Sequence, residues 1–180
     1  MKRSSLDLSG RVAVVIGATS GLGKEIALGL AEHGADVVPG GRRADLLQQT
    51  CNEIERLGRR TLHHPVDARL KDSLASLRDA VLNSLGQVDI LVNSAGRTFR
   101  KPTIAIDAQE WSSLFETNVT AVLHACQVFF EPLKASGVGR VINISSLSSY
   151  VAFHEVSAYC ASKSAVLSLT RSLACEWAQY

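Results

Sequence analysis

The chain has 180 residues, 46% of them hydrophobic, with a formal net charge of +2; this is enough for one domain with a sizeable core and too little for two. Acids and bases are interspersed with no basic stripe or block, which excludes a nucleic-acid surface and a polybasic membrane anchor. Cys51, Cys126, Cys160 and Cys175 stand apart without a C-x-x-C or metal-ligand spacing, so reduced thiols, no metal site and a cytoplasmic location are expected.

Near the N-terminus, Lys2 and Arg3 are followed by Asp7, and the apolar run 12–16 is too short for a signal core or a membrane span. Residues 11–17 read R-V-A-V-V-I-G, an apolar, β-branched stretch that predicts a first strand. Gly17, Thr19, Ser20, Gly21, Leu22 and Gly23 follow, and Leu22, Ile26 and Leu30 then repeat at helical spacing. Glycines at a strand-to-helix junction let the backbone pass close to a phosphate, and the helix N-terminus supplies unpaired N–H groups and partial positive charge.

Gly34 ends that helix, and residues 36–39 predict a second strand in which Pro39 is tolerable only near the end or at an irregularity. A helix over 46–57 stops at Gly58, and 61–66 reads as a third, weaker strand. Leu70, Leu74, Leu77, Val81 and Leu85 mark a helical stripe closed by Gly86, and 88–93 is a fourth strand. A long helix over 109–133 has Trp111, Leu114, Phe115, Val119 and Val122 as core positions; a fifth strand (140–145) and a last helix (158–177) complete the chain. This alternation predicts an α/β fold, a doubly wound parallel sheet covered on both faces, with residues 1–180 as a single domain.

Ser146 is followed thirteen residues later by Tyr159, and Lys163 stands four residues further on, in the stretch Y-C-A-S-K. Positions i and i+4 share a helix face, so the phenol and the ammonium converge, and a positive charge there favours phenolate. A Y-x-x-x-K pair alone is a common helix face. Its setting is not: the glycine turn Gly17 to Gly23, Asn93-Ser94-Ala95-Gly96, Asn118, Ser146 and Tyr159/Lys163 occur in an order that resembles the short-chain dehydrogenase/reductase family. The resemblance runs from about residue 8 to the last, and locally is greatest to gluconate 5-dehydrogenase-like and 3-oxoacyl-acyl-carrier-protein reductase-like members.

That resemblance implies a three-layer Rossmann fold holding a pyridine dinucleotide over the strand ends. After the second strand stand Gly41 and Arg42, where an acid would signal NAD; a guanidinium that can pair with a 2′-phosphate implies NADP instead. Asp67 resembles the family acid that accepts from the adenine amino group, and Asn93, Ala95 and Gly96 resemble its N-N-A-G turn, with Ser94 in place of the second Asn. Tyr159 is then the proton donor to a carbonyl oxygen. Lys163 orients the nicotinamide ribose, and Ser146, with Ser145 as the alternative, donates to the substrate oxygen. Asn118 resembles the family Asn whose helix is locally distorted to hold a water for proton relay.

The implied substrate is a small-molecule carbonyl or secondary alcohol. The loops 97–101 and 153–155 should rim its pocket, and the basic residues in the first suggest a polar or acidic compound. Family members continue past the last helix with two more strands and a substrate-covering segment, so an exposed V-I-N-I edge is expected here. The alternative reading is therefore a catalytically impaired nucleotide-binding or interaction module. Homo-oligomerisation through the long helix and the catalytic helix is the implied assembly.

Overall fold

The computed structural model describes residues 6–180, so Lys2 and Arg3 lie outside the described residues. Four parallel strands, β1 (Val12–Ile16), β2 (Asp36–Gly40), β3 (Ile90–Asn93) and β4 (Arg140–Asn143), form a sheet in the order β2-β1-β3-β4. All five residues of β1 are buried, because alternate side chains serve opposite layers. Val12, Val14 and Ile16 join one core with Leu74, Leu77, Phe129 and Leu133, whereas Ala13 and Val15 join another with Ala27, Ala31 and Ile54.

The helices are α1 (Gly21–Glu32), α2 (Ala44–Arg56), α3 (Lys71–Leu85), α4 (Ala108–Phe115), α5 (Ala121–Ala135) and α6 (Ser157–Trp177). Helices α1 and α2 cover one face, and α3 and α5 the other, with α6 packed beside α5 through Val122, Cys126 and Val166. None is long and apolar enough to cross a membrane among the described residues. The three-layer α/β expectation holds, with corrections in detail.

The expected strand 61–66 is not a strand. It runs beside β2 and is bonded at its two ends, Val37 N donating to Arg60 O at 3.0 Å and Val66 N to Gly41 O at 2.9 Å. Asp36 N faces β1 through Arg11 O, so odd-numbered residues of β2 turn their N–H groups toward 61–66. Pro39 is one of these and has no N–H to give, which removes the middle of the ladder. The sheet therefore has four strands where about five were expected.

The expected helix 109–133 is in fact α4, one π turn (Glu116–Thr120) and α5. Asp107 and Glu110 form a capping box at its start, Glu110 N donating to Asp107 Oδ1 at 2.8 Å. Leu114 and Val122 are buried as expected, but Trp111 is 41% exposed, stacked on Phe115 at 4.6 Å. Strand β4 is an edge strand among the described residues, and Ile142 on it is 44% exposed.

Candidate active site

The C-terminal ends of the four strands open on one cleft of about 650 Å³. Gly17, Thr19, Ser20, Leu22 and Gly23 line its first wall, and Gly41, Arg42, Arg43, Asp67 and Arg69 the second. Ser94, Ala95, Gly96, Arg97, Ile144, Ser145, Tyr159 and Lys163 line the far end. The topology thus gathers residues from every strand–helix junction into one place.

Gly17 has φ +92°, and a Cβ there would collide with the backbone of Ala95; one on Gly23 would collide with the carbonyl of Gly17. Only hydrogen fits where turn, helix and β3 loop touch. At the N-terminus of α1, Ser20 makes no capping bond and the first turn holds no acid, so its amide groups keep their partial positive charge.

Arg43, next to Arg42 at the start of α2, also belongs to this wall. Its Nη2 donates to Thr19 Oγ1 at 2.7 Å and to Ser20 Oγ at 2.6 Å, placing a guanidinium on the glycine turn beside Arg42. Lys24 is paired with Glu53 at 2.9 Å. Asp67 meets Arg69 in a fork, Nη2 to Oδ2 at 2.6 Å and Nε to Oδ1 at 3.0 Å; this hydrogen bonding holds its carboxyl below the usual range.

Among the expected site residues Gly21, Asn118 and Ser146 do not line the cleft, and neither does Asn93. Asn93 shares the alternation of Leu91 toward the α5 layer, where Nδ2 donates to Asn143 Oδ1 at 2.8 Å and lies 3.5 Å from Cys126 Sγ. It ties β3 to β4, and Ser94 takes the place on the cleft wall.

At the far end, Lys163 is only 5% exposed, and Nζ donates to Ile144 O at 2.7 Å. It lies 5.9 Å from the centroid of the Tyr159 ring, on the same side of α6. Burial pushes the Lys163 ammonium below its ordinary value of 10.5, since the charged form is desolvated. In the window between that lowered value and 10.5 the unfolded chain holds a proton that the folded chain has released, so stability rises with pH there. Wild type should therefore gain stability relative to Lys163→Met as pH climbs through this alkaline window. Urea midpoints of the two proteins measured in parallel check it.

Asn118, fully buried in the π turn, clamps the loop after β3. Its Oδ1 accepts from Arg97 N at 2.9 Å, while Nδ2 donates to Arg97 O at 2.9 Å and Ser162 Oγ at 3.0 Å. Ser162, three residues past Tyr159, in turn donates to Tyr159 O at 2.8 Å. The helix distortion expected at Asn118 is present, and Ser162 is a link in this network that the Y-C-A-S-K reading left unused.

The two serine candidates differ in what their hydroxyls already do. Ser145 Oγ donates to Lys163 O at 3.0 Å and shares a 2.7 Å bond with Ser149 Oγ, so its single proton is committed. Ser146 Oγ accepts from Ser148 N at 3.2 Å and keeps its proton for another acceptor. Ser145 lines the cleft, whereas Ser146 lies just outside that lining.

With this geometry in view, the short chain dehydrogenase family profile matches residues 11–180. The 2-dehydro-3-deoxy-D-gluconate 5-dehydrogenase of Escherichia coli K12 is 36% identical over 98% of this chain and 70% of its own length. The D-beta-hydroxybutyrate dehydrogenase of Rhizobium meliloti 1021 is 35% identical over 94% of this chain and 66% of its own. A gluconate 5-dehydrogenase from Burkholderia cenocepacia J2315, solved in complex with NADP and tartrate, superposes with a TM-score of 0.90 at 31% identity over 96% of this chain and 68% of that one. The chain thus spans about two thirds of the length of such relatives, and it belongs to the short-chain dehydrogenase family.

Proposed function

We propose that residues 1–180 form a single NADP-binding domain of an oxidoreductase that interconverts a secondary alcohol and a ketone. The observation that carries this is the convergence of Tyr159 and buried Lys163 on the same cleft as a glycine turn whose Cβ positions are closed by backbone. The cradle fits a dinucleotide: Gly17, Thr19, Ser20, Gly21, Leu22 and Gly23 would hold its phosphates, and Ala95 and Gly96 would allow close approach beyond them. When bound, the nucleotide supplies or accepts the hydride.

The chain's own residues manage position and protons. Tyr159 gives a proton to the substrate oxygen during reduction and takes one during oxidation. Lys163 favours the phenolate electrostatically and would hold the ribose hydroxyls of the nucleotide, and Ser146, with its proton uncommitted, donates to the oxygen as charge builds there. Asn118 fixes the loop carrying Arg97 and so the floor of the pocket. Turnover of a panel of ketones followed by NADPH absorbance tests this; consumption that is equal with and without the protein would sink it.

Arg42 and Arg43 favour NADP, as does the absence of an acid after β2. Reading Arg42 as the 2′-phosphate partner, Arg42→Asp should weaken NADPH binding by about tenfold or more, because a bidentate charge pair becomes a like-charge contact. NADH affinity should change little or improve. Parallel fluorescence titrations decide it, and equal losses for both nucleotides would remove Arg42 from that role.

The alternative of an impaired nucleotide-binding module rests on the same cleft and is separated by turnover alone. A homo-oligomer remains the proposed assembly, its surface the α4–α5 and α6 helices. A small-molecule substrate, no nucleic acid, no membrane and a cytoplasmic setting complete this reading.

A further inference from the structure

We infer that Arg97 is the anion-binding residue of the substrate pocket, so that the compound taken is a small hydroxy or oxo carboxylate. This rests on the oxidoreductase reading for the meaning of the pocket, and adds the substrate class to it. Arg97 lines the cleft beside Gly96, and a Cβ on Gly96 would lie 3.5 Å from both Asn118 Oδ1 and Lys163 Nζ. Its backbone is held on both sides by the fully buried Asn118. The buried Asn118 thus fixes where the backbone of Arg97 starts its side chain relative to Lys163, although the residue itself is exposed.

What the guanidinium meets is the second observation. Nη1 donates to Ser113 Oγ at 3.1 Å, and no carboxylate pairs with it among the described residues. Of the other cleft arginines, Arg43 holds the glycine-turn hydroxyls and Arg69 holds Asp67, and Arg42 stands after β2, on the wall away from Lys163. Glu110, three residues before Ser113 on α4, is paired with Lys101 at 2.6 Å. Of the cleft-lining residues only Asp67 is acidic. The catalytic end thus presents Lys163 and an arginine fork with free donors, a setting that favours a planar anion.

The chemistry of similar proteins agrees in class. The names of the Escherichia coli and Rhizobium meliloti relatives are those of enzymes acting on carboxylates, and the Burkholderia cenocepacia structure holds tartrate. A carboxylate seated on Arg97 would leave its hydroxyl or oxo carbon to reach Tyr159 and Ser146.

The test is binding of D-gluconate, D-3-hydroxybutyrate and tartrate, and of the corresponding neutral amides, to the full chain with and without NADPH, by calorimetry. The expected result is that at least one acid binds saturably, about tenfold or more weakly to Arg97→Gln, and that Arg97→Lys retains most of the affinity. NADPH binding should be the same in all three proteins, and amides should be indifferent to the substitution. The inference is overturned if no acid binds either form, if Arg97→Gln binds the acids as wild type does, or if the amides lose as much as the acids. Failure of NADPH alone to bind counts against the oxidoreductase reading, while acid binding to the nucleotide-free chain still judges Arg97.

Discussion

Tyr159→Phe should lower turnover by about 10²–10⁴-fold while leaving the dissociation constant for NADPH within about twofold of wild type. The substitution removes one oxygen. The ring stays on α6, 5.9 Å from Lys163 Nζ, and the glycine turn is untouched. On the proposed reading, what is lost is the group that gives its proton to the substrate oxygen, which neither Ser146 nor water would replace with the same positioning. Lys163 remains bonded to Ile144 O, so no buried partner is orphaned and stability should hold. Comparing initial rates with nucleotide titrations on the same preparations checks both halves, and undiminished turnover would end the assignment of Tyr159 as proton donor.

Gly17→Ala should act on the other end of the cleft, and on folding as well as binding. At φ +92° an alanine is strained, and its Cβ would collide with the Ala95 backbone, which cannot swing aside as a side chain could. Roughly 3 kcal/mol of stability should be lost, equivalent to a fall in Tm of roughly 10 °C for a chain of this size. Any displacement of the turn also tilts the amide groups of α1 away from the phosphate position, so NADPH binding should be lost below denaturing temperatures. Gly29→Ala is the matched control: it lies inside α1 with nothing within 4 Å of the new Cβ and should stabilise by about 1 kcal/mol. Thermal melts of the two variants should shift in opposite directions.

What could be read from the sequence was what depends on local spacing. The glycine turn, the Tyr159–Lys163 pair and the continuous apolar runs of β1 and β3 are short-range patterns, and the structure brings them to one cleft. The extended stretch 61–66 has the composition of a strand, but its pairing is decided by the missing N–H of Pro39, more than twenty residues earlier in the chain. Asn93 belonged to the right turn, yet the alternation of β3 aims its side chain into the sheet, and Ser94 faces the cleft in its place.

Arginines were the hardest to place. Arg43 begins a helix and looks solvated by pattern, but its long side chain folds back across the turn to Thr19 and Ser20. Arg97 sits in a loop whose basic residues hinted at an acidic substrate; only its lock to the π turn through Asn118 shows which of them is held beside Lys163. Trp111 followed the helical period of α4 yet remains partly exposed, because its partner is Phe115 on the same helix and not the core.

The measurement that tests the central claim most directly is a fluorescence titration of the 180-residue chain with NADPH and, in parallel, with NADH. Saturable binding of NADPH, tighter than that of NADH, is the predicted result, since the glycine turn, Arg42 and Arg43 converge on one cleft with Lys163. No saturable binding of either nucleotide would contradict the account.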